Sequence, residues 1–183
     1  TSWEDLQRLL FQDTWDARIE RFRSPYVYRG GRSRHFQLET SLQRLGGDYH
    51  QLEHHLLRNF RKYARDTTVP AQAASTWDWL ALAQHHGLPT RLLDWTYSPY
   101  VALHFATDDL GAYHEDGIIW ALNYVKAAEH LPQRLRQALQ NEGSNVFTSE
   151  LLQPVSSSLR ELEQSLGVSL FVRSRGRPLT MTA

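Results

Sequence analysis

Hydrophobic positions along the chain fall into runs with distinct periods. Leu6, Leu9, Leu10 and Phe11 recur at helical intervals behind Ser2-Trp3-Glu4-Asp5, which has the spacing of a capping box, so an opening helix is predicted. Ser24-Pro25 breaks that pattern. Tyr26-Val27-Tyr28-Arg29 is β-branched and aromatic and stops at Gly30-Gly31, the mark of a short strand that delivers an arginine at its carboxyl end. Tyr49, Leu52, Leu56, Phe60 and Tyr63 then recur every three or four residues, predicting an amphipathic helix whose solvated face carries His54, Arg58, Arg61 and Arg65. Ser75-Thr76-Trp77-Asp78 offers a second capping box, and its apolar run to Ala83 ends at Gly87 with Pro89 beyond. Thr90 to Thr96 reads as a strand, and Ser98-Pro99 as an N-cap and first-turn proline opening a helix to Ala106. Gly117 to Leu122 is continuously apolar, as expected of a central strand covered on both faces. This order predicts an α+β fold: a single compact domain, a small mixed sheet flanked by helices, and a helix-plus-hairpin C-terminal appendage.

Composition narrows the chemistry. At 183 residues, 41% hydrophobic and 11% aromatic, the chain can bury one sizeable core. Twenty basic residues balance twenty acidic ones, so no global field draws it to a polyanion, and any such contact is local. The absence of cysteine removes disulfides, zinc knuckles and thiol nucleophiles, and suits a cytoplasmic location. No apolar run approaches the roughly 20 residues of a membrane span, so no membrane partner is expected. His50 and His54 have an i, i+4 spacing that can bind a metal, but no third ligand accompanies them, and no metal is expected. The chain opens on Thr1 rather than Met, as a fragment of a longer protein would.

The polar residues around the short strands suggest a phosphorylated, planar ligand. Arg29 offers a planar fork of donors suited to phosphate, Trp95 and Tyr97 offer aromatic faces, and the amino end of the Ser98 helix offers free N–H groups. Each feature also has a structural reading. Arg29 is equally expected to form a buried ion pair with Asp94. His85 and His86 fit a helix carboxyl end, where imidazoles sit favourably against the dipole, as well as a ligand or acid–base role. Trp77, Trp79, Trp95 and Trp120 are core candidates, and only Trp95, between Asp94 and Thr96, is a stacking candidate.

The run Trp77 to Thr96, with His85-His86-Gly87-Leu88-Pro89-Thr90-Arg91-Leu92-Leu93-Asp94-Trp95, followed by Ser98-Pro99 and Ala102-Leu103-His104-Phe105-Ala106, resembles the central signature of FRG domains nearly position by position. Tyr28-Arg29-Gly30 upstream and the strand from Gly117 downstream complete a resemblance over about Trp3 to Asn123, and a domain over 1–138 is expected. The family is functionally uncharacterised and frequent in mobile-element and phage-defence neighbourhoods. Its layout also resembles ADP-ribosyltransferases, in which an arginine on the first strand binds NAD and a Ser/Thr-rich strand leads into a helix. That likeness implies NAD as cosubstrate and a catalytic set of Arg29, Thr96, Ser98 and Glu150. Arg29 would grip the pyrophosphate or ribose, Thr96 and Ser98 would buttress the nicotinamide pocket, and Glu150 would stabilise the oxocarbenium-like centre. Tyr28, Gly30, His85, His86, Arg91, Asp94 and Trp95 would line the ligand site. A toxin or phage-defence effector restrained by an antitoxin or immunity partner follows from the same likeness.

From about Leu139 the pattern changes, and 139–183 is expected to form a separate tail. Ser149 to Glu163 and Leu166 to Thr180 resemble part of the winged helix-turn-helix of LysR-type regulators, with its first helix missing. That resemblance implies a recognition helix presenting Ser156, Ser158 and Arg160 to DNA, and an Arg173, Arg175, Arg177 wing on phosphates. It claims Glu150 as well. Arg160, Gln164, Gly167 and Phe171 loosely match the close of an FRG domain, in which case Leu170 to Val172 adds a last strand to the sheet. Three functions stand: an NAD-dependent effector, a non-catalytic module binding a nucleotide or nucleic-acid end, and a DNA-binding regulator acting through the tail.

Overall fold

A computed structural model describes residues 2–64, 75–144, 147–148, 151–152, 171–173 and 179–181. In chain order these form α1 (Trp3–Leu10), β1 (Trp15–Asp16), β2 (Arg21–Phe22), β3 (Tyr26–Gly31), α2 (Tyr49–Tyr63), α3 (Thr76–His85), β4 (Leu93–Asp94), α4 (Pro99–Thr107), β5 (Ile118–Asn123), α5 (Tyr124–Glu129), α6 (Gln133–Asn141), β6 (Phe171–Arg173) and β7 (Leu179–Met181). The fold is α+β, and it packs as two compact units. One comprises Thr1–Phe36 and Trp95–Ala127, the other Gln37–Asp94 and Ala128–Ala183.

In the first unit, α1 starts where the capping box predicts. Ser2 accepts from the Asp5 N–H, and the Asp5 carboxylate accepts from the Ser2 N–H. β1 and β2 form a small antiparallel hairpin, Trp15 opposite Phe22. β3 pairs antiparallel with β5 along its whole length, from Tyr26 opposite Asn123 to Gly31 opposite Ile118. β5 is not the doubly covered central strand that its apolar run predicts. Among the described residues β3 is its only strand neighbour, Ile118, Ile119 and Trp120 are half-buried, and Ala121 is exposed. The run is continuous because both faces of the strand meet apolar groups. Ile119 packs with Leu10, Tyr28 and Ala102 on one face, while Ile118, alternate to it, flanks Gly31 beside Phe36 on the other.

In the second unit, Leu57, Trp77, Leu80, Ala83, Leu92, Leu131, Leu135 and Phe147 gather into one core from α2, α3, α6 and their connections. α3 is bounded as expected. Ser75 and Asp78 cap its amino end reciprocally. At its carboxyl end Gly87, at φ +83°, closes a Schellman motif, with its N–H donating to the Gln84 carbonyl and the Leu88 N–H to that of Ala83. The strand predicted over Thr90–Thr96 is reduced to Leu93–Asp94. Side chains explain the loss: the Thr90 N–H donates to Ser41 Oγ (3.2 Å), the Arg91 N–H to Glu53 Oε1 (3.0 Å) and the Leu92 N–H to Thr90 Oγ1 (3.2 Å). Backbone donors satisfied by neighbouring side chains do not join a ladder. β6 runs parallel to β4 and antiparallel to β7, so this sheet is mixed and the tail does contribute a strand, Phe171–Arg173.

Candidate ligand site on the arginine strand

Three consecutive residues of β3 have three separate tasks. Tyr28 is 2% exposed, packs with Leu10 and Ala102, and donates its hydroxyl to the Leu10 carbonyl (2.8 Å). Gly30, on the same face by strand alternation, lies directly beneath α4. A Cβ there would sit 1.8 Å from the Ala102 carbonyl oxygen and 2.9 Å from the Ala106 nitrogen, so only glycine allows strand and helix to touch. Arg29 projects to the opposite face and is half-buried.

The segment after β4 returns to this strand. Thr96 forms an antiparallel bridge with Tyr28, its N–H donating to the Tyr28 carbonyl (2.8 Å) and its carbonyl accepting from the Tyr28 N–H (2.7 Å). Carried one residue along, that register sets Trp95 across from Arg29 on one side, while the β3–β5 pairing sets Trp120 across from it on the other. Trp95 is 6% exposed and acts as a wall, leaving the half-buried Trp120 as the more accessible ring. Beyond the bridge, the Ser98 N–H donates to Thr96 Oγ1 (3.1 Å), and Ser98 stands at the N-cap of α4 without its side chain capping the helix. Arg29, Thr96 and Ser98 belong to one unit, but the Thr96 side chain, directly opposite Tyr28, lies on the face turned away from Arg29.

The FRG domain model matches residues 24–115 of this chain. The match spans half the sequence, from just before the Tyr-Arg-Gly strand through the bridging segment and α4. The chain belongs to the FRG domain family. No curated protein and no solved structure matches it. In this FRG domain the signature is accounted for physically: Tyr28 anchors α1, Gly30 admits α4, and the His-His-Gly-Leu-Pro run ends α3 and turns the chain.

A hollow of about 290 Å³ lies on the Tyr28 face of the strand, lined by Phe11, Thr14, Phe22, Ser24, Tyr28, Tyr97 and Pro99. Of the residues singled out as candidates from sequence, only Tyr28 and Tyr97 line it. Arg29 faces the other way. Phe11, Thr14, Phe22 and Ser24 carry no motif and were not expected at a site.

The remaining candidates divide differently. His85, His86, Arg91 and Asp94 belong to the second unit of the FRG protein. His85 and His86 are exposed, edge to face at 5.5 Å, with His86 also 5.9 Å from Phe60. Arg91 is clasped by Glu53, which accepts from Nε (2.6 Å) and Nη2 and whose side chain is only 5% exposed. Glu53 was missed because, within an amphipathic helix, one inward glutamate looks like any surface one. Asp94 is exposed at the end of β4. Arg173 lies in β6, and Glu150, Ser156, Ser158, Arg160, Arg175 and Arg177 fall outside the described residues. Among the described residues no group of three His, Asp or Glu could hold a metal ion, and no helix is long and apolar enough to cross a membrane.

Proposed function

We propose that this FRG domain is an NAD-dependent, ADP-ribosyltransferase-like effector, restrained by a partner in a toxin or phage-defence setting. The Tyr28–Thr96 bridge carries this reading, because it sets an arginine strand beside a Thr-Tyr-Ser segment that leads directly into a helix. Such a juxtaposition suits a dinucleotide. Arg29 supplies bidentate donors to a pyrophosphate, in a half-buried position where a charge-assisted bond is stronger than in open water. Trp120 offers a face to a planar ring, and the Thr96-Tyr97-Ser98 segment leads into the amino end of α4. In the reaction the glycosidic bond between nicotinamide and ribose C1′ breaks. Nicotinamide leaves with the bonding pair, the acceptor's nucleophile bonds to C1′, and its proton passes to a base or to solvent. The domain's part is to hold the dinucleotide and stabilise charge as it develops. Glu150 is the carboxylate proposed for the oxocarbenium-like centre.

The test is incubation of the folded protein with NAD labelled in its adenylate half, with total protein and nucleic acid as acceptors. Transfer of label and release of nicotinamide are expected, and Arg29→Ala should remove both in a chain that circular dichroism shows to remain folded. NAD that raises the melting temperature without any turnover would favour the non-catalytic binding module. Neither turnover nor a thermal shift would refute the assignment.

A further inference from the structure

The hollow on the Tyr28 face lies across the strand from Arg29, and its walls have a chemistry of their own. Five of its seven lining residues are Phe11, Phe22, Tyr28, Tyr97 and Pro99, and no charged side chain is among them. Its size, about 290 Å³, sits at the small end of ligand pockets, which run roughly 300–1,000 Å³, so it suits a single ring system and not a whole dinucleotide.

The hydroxyls fix which ring. Thr14, 2% exposed, donates its proton to the Phe11 carbonyl (2.6 Å), and Tyr28 donates its own to the Leu10 carbonyl (2.8 Å). Ser24 Oγ accepts from the Tyr26 N–H (3.1 Å) and lies 3.5 Å from the Tyr28 hydroxyl; with the Tyr28 proton already committed, the serine proton turns toward that oxygen. The hydroxyls of Thr14, Ser24 and Tyr28 therefore have their protons engaged, so that what they can offer a guest is lone pairs. A guest with N–H donors is satisfied there, whereas one with only acceptors leaves buried lone pairs facing each other.

We infer that this hollow binds a neutral nitrogen heterocycle bearing an exocyclic amino group, of the aminopurine class. Phe22 and Tyr97 supply the stacking surfaces, and Thr14 and Ser24 accept from the amino group. The site stands apart from the NAD reading, since it uses the other face of β3 and no arginine.

Calorimetric titration with adenosine, and with purine riboside, which lacks the amino group, tests the inference. Saturable binding of adenosine is expected, with purine riboside roughly tenfold weaker. Phe22 is 71% exposed, so Phe22→Ala should fold normally and weaken adenosine roughly tenfold through lost stacking. Arg29→Ala should leave adenosine binding unchanged, which separates this site from the one proposed for NAD. Absence of saturation at millimolar adenosine, equal affinity for the two ribosides, indifference to Phe22→Ala, or loss with Arg29→Ala would each overturn it.

Discussion

Replacing Gly30 with alanine adds a single methyl group at the tightest contact of the first unit. The new Cβ would lie 1.8 Å from the Ala102 carbonyl oxygen, 2.8 Å from its carbon and 2.9 Å from the Ala106 nitrogen, all backbone atoms of α4. No rotamer relieves such a clash. Either α4 retreats by more than an ångström or β3 bends away from it, and both open the Leu10, Tyr28 and Ala102 cluster beneath. Overpacking ordinarily costs about 1–3 kcal/mol, and with rigid backbone on the receiving side about 3 kcal/mol or more is expected here. For a chain of this length that corresponds to a fall in melting temperature of roughly 6–12 °C. Gly31→Ala is the internal control. Its Cβ would meet only side-chain atoms, Ile118 Cγ2 at 3.2 Å and Phe36 Cδ2 at 3.5 Å. Both can yield, so a loss under about 1 kcal/mol is expected. Urea denaturation of both variants, followed by circular dichroism, measures the difference. Equal midpoints would show that α4 does not rest on Gly30, and the structural account of the Tyr-Arg-Gly motif would fail.

Other substitutions probe the remaining elements. Glu53→Ala strands the Arg91 guanidinium, whose side chain is only 15% exposed, and should destabilise the second unit by about 3 kcal/mol in chemical denaturation. Ser75→Ala removes the cap of α3 and should cost about 1 kcal/mol by the same measurement, with no change in adenosine or NAD binding. Tyr28→Phe leaves the Leu10 carbonyl without its 2.8 Å donor at a site 2% exposed, for a loss of about 1–2 kcal/mol. Truncation after residue 170 strips β4 of its strand neighbour, so the melting temperature should fall. If the tail's purpose were DNA contact alone, that truncation would abolish salt-dependent DNA retention without moving the melt.

Much of the local structure was legible in the sequence because it is set by neighbours along the chain. Both capping boxes, the Gly87 stop, the proline at the start of α4 and the Tyr26–Gly31 strand follow from residues within four or five positions of each other. So did the family, whose signature is contiguous. Tertiary structure decided the rest, because it depends on which distant groups meet. Nothing in Thr90-Arg91-Leu92 says that Ser41 and Glu53 will take its N–H groups and shorten a strand. The apolar run at Ile118 looks the same whether a strand has one neighbour or two. Nor does the motif around Arg29 say that Tyr28 and Gly30 face α4 while the arginine faces away. Strand register, which turns every alternate side chain to one face or the other, separated the arginine from the aromatic hollow. A sequence can place residues on a strand, but only the packing of its partners chooses the face that becomes a site.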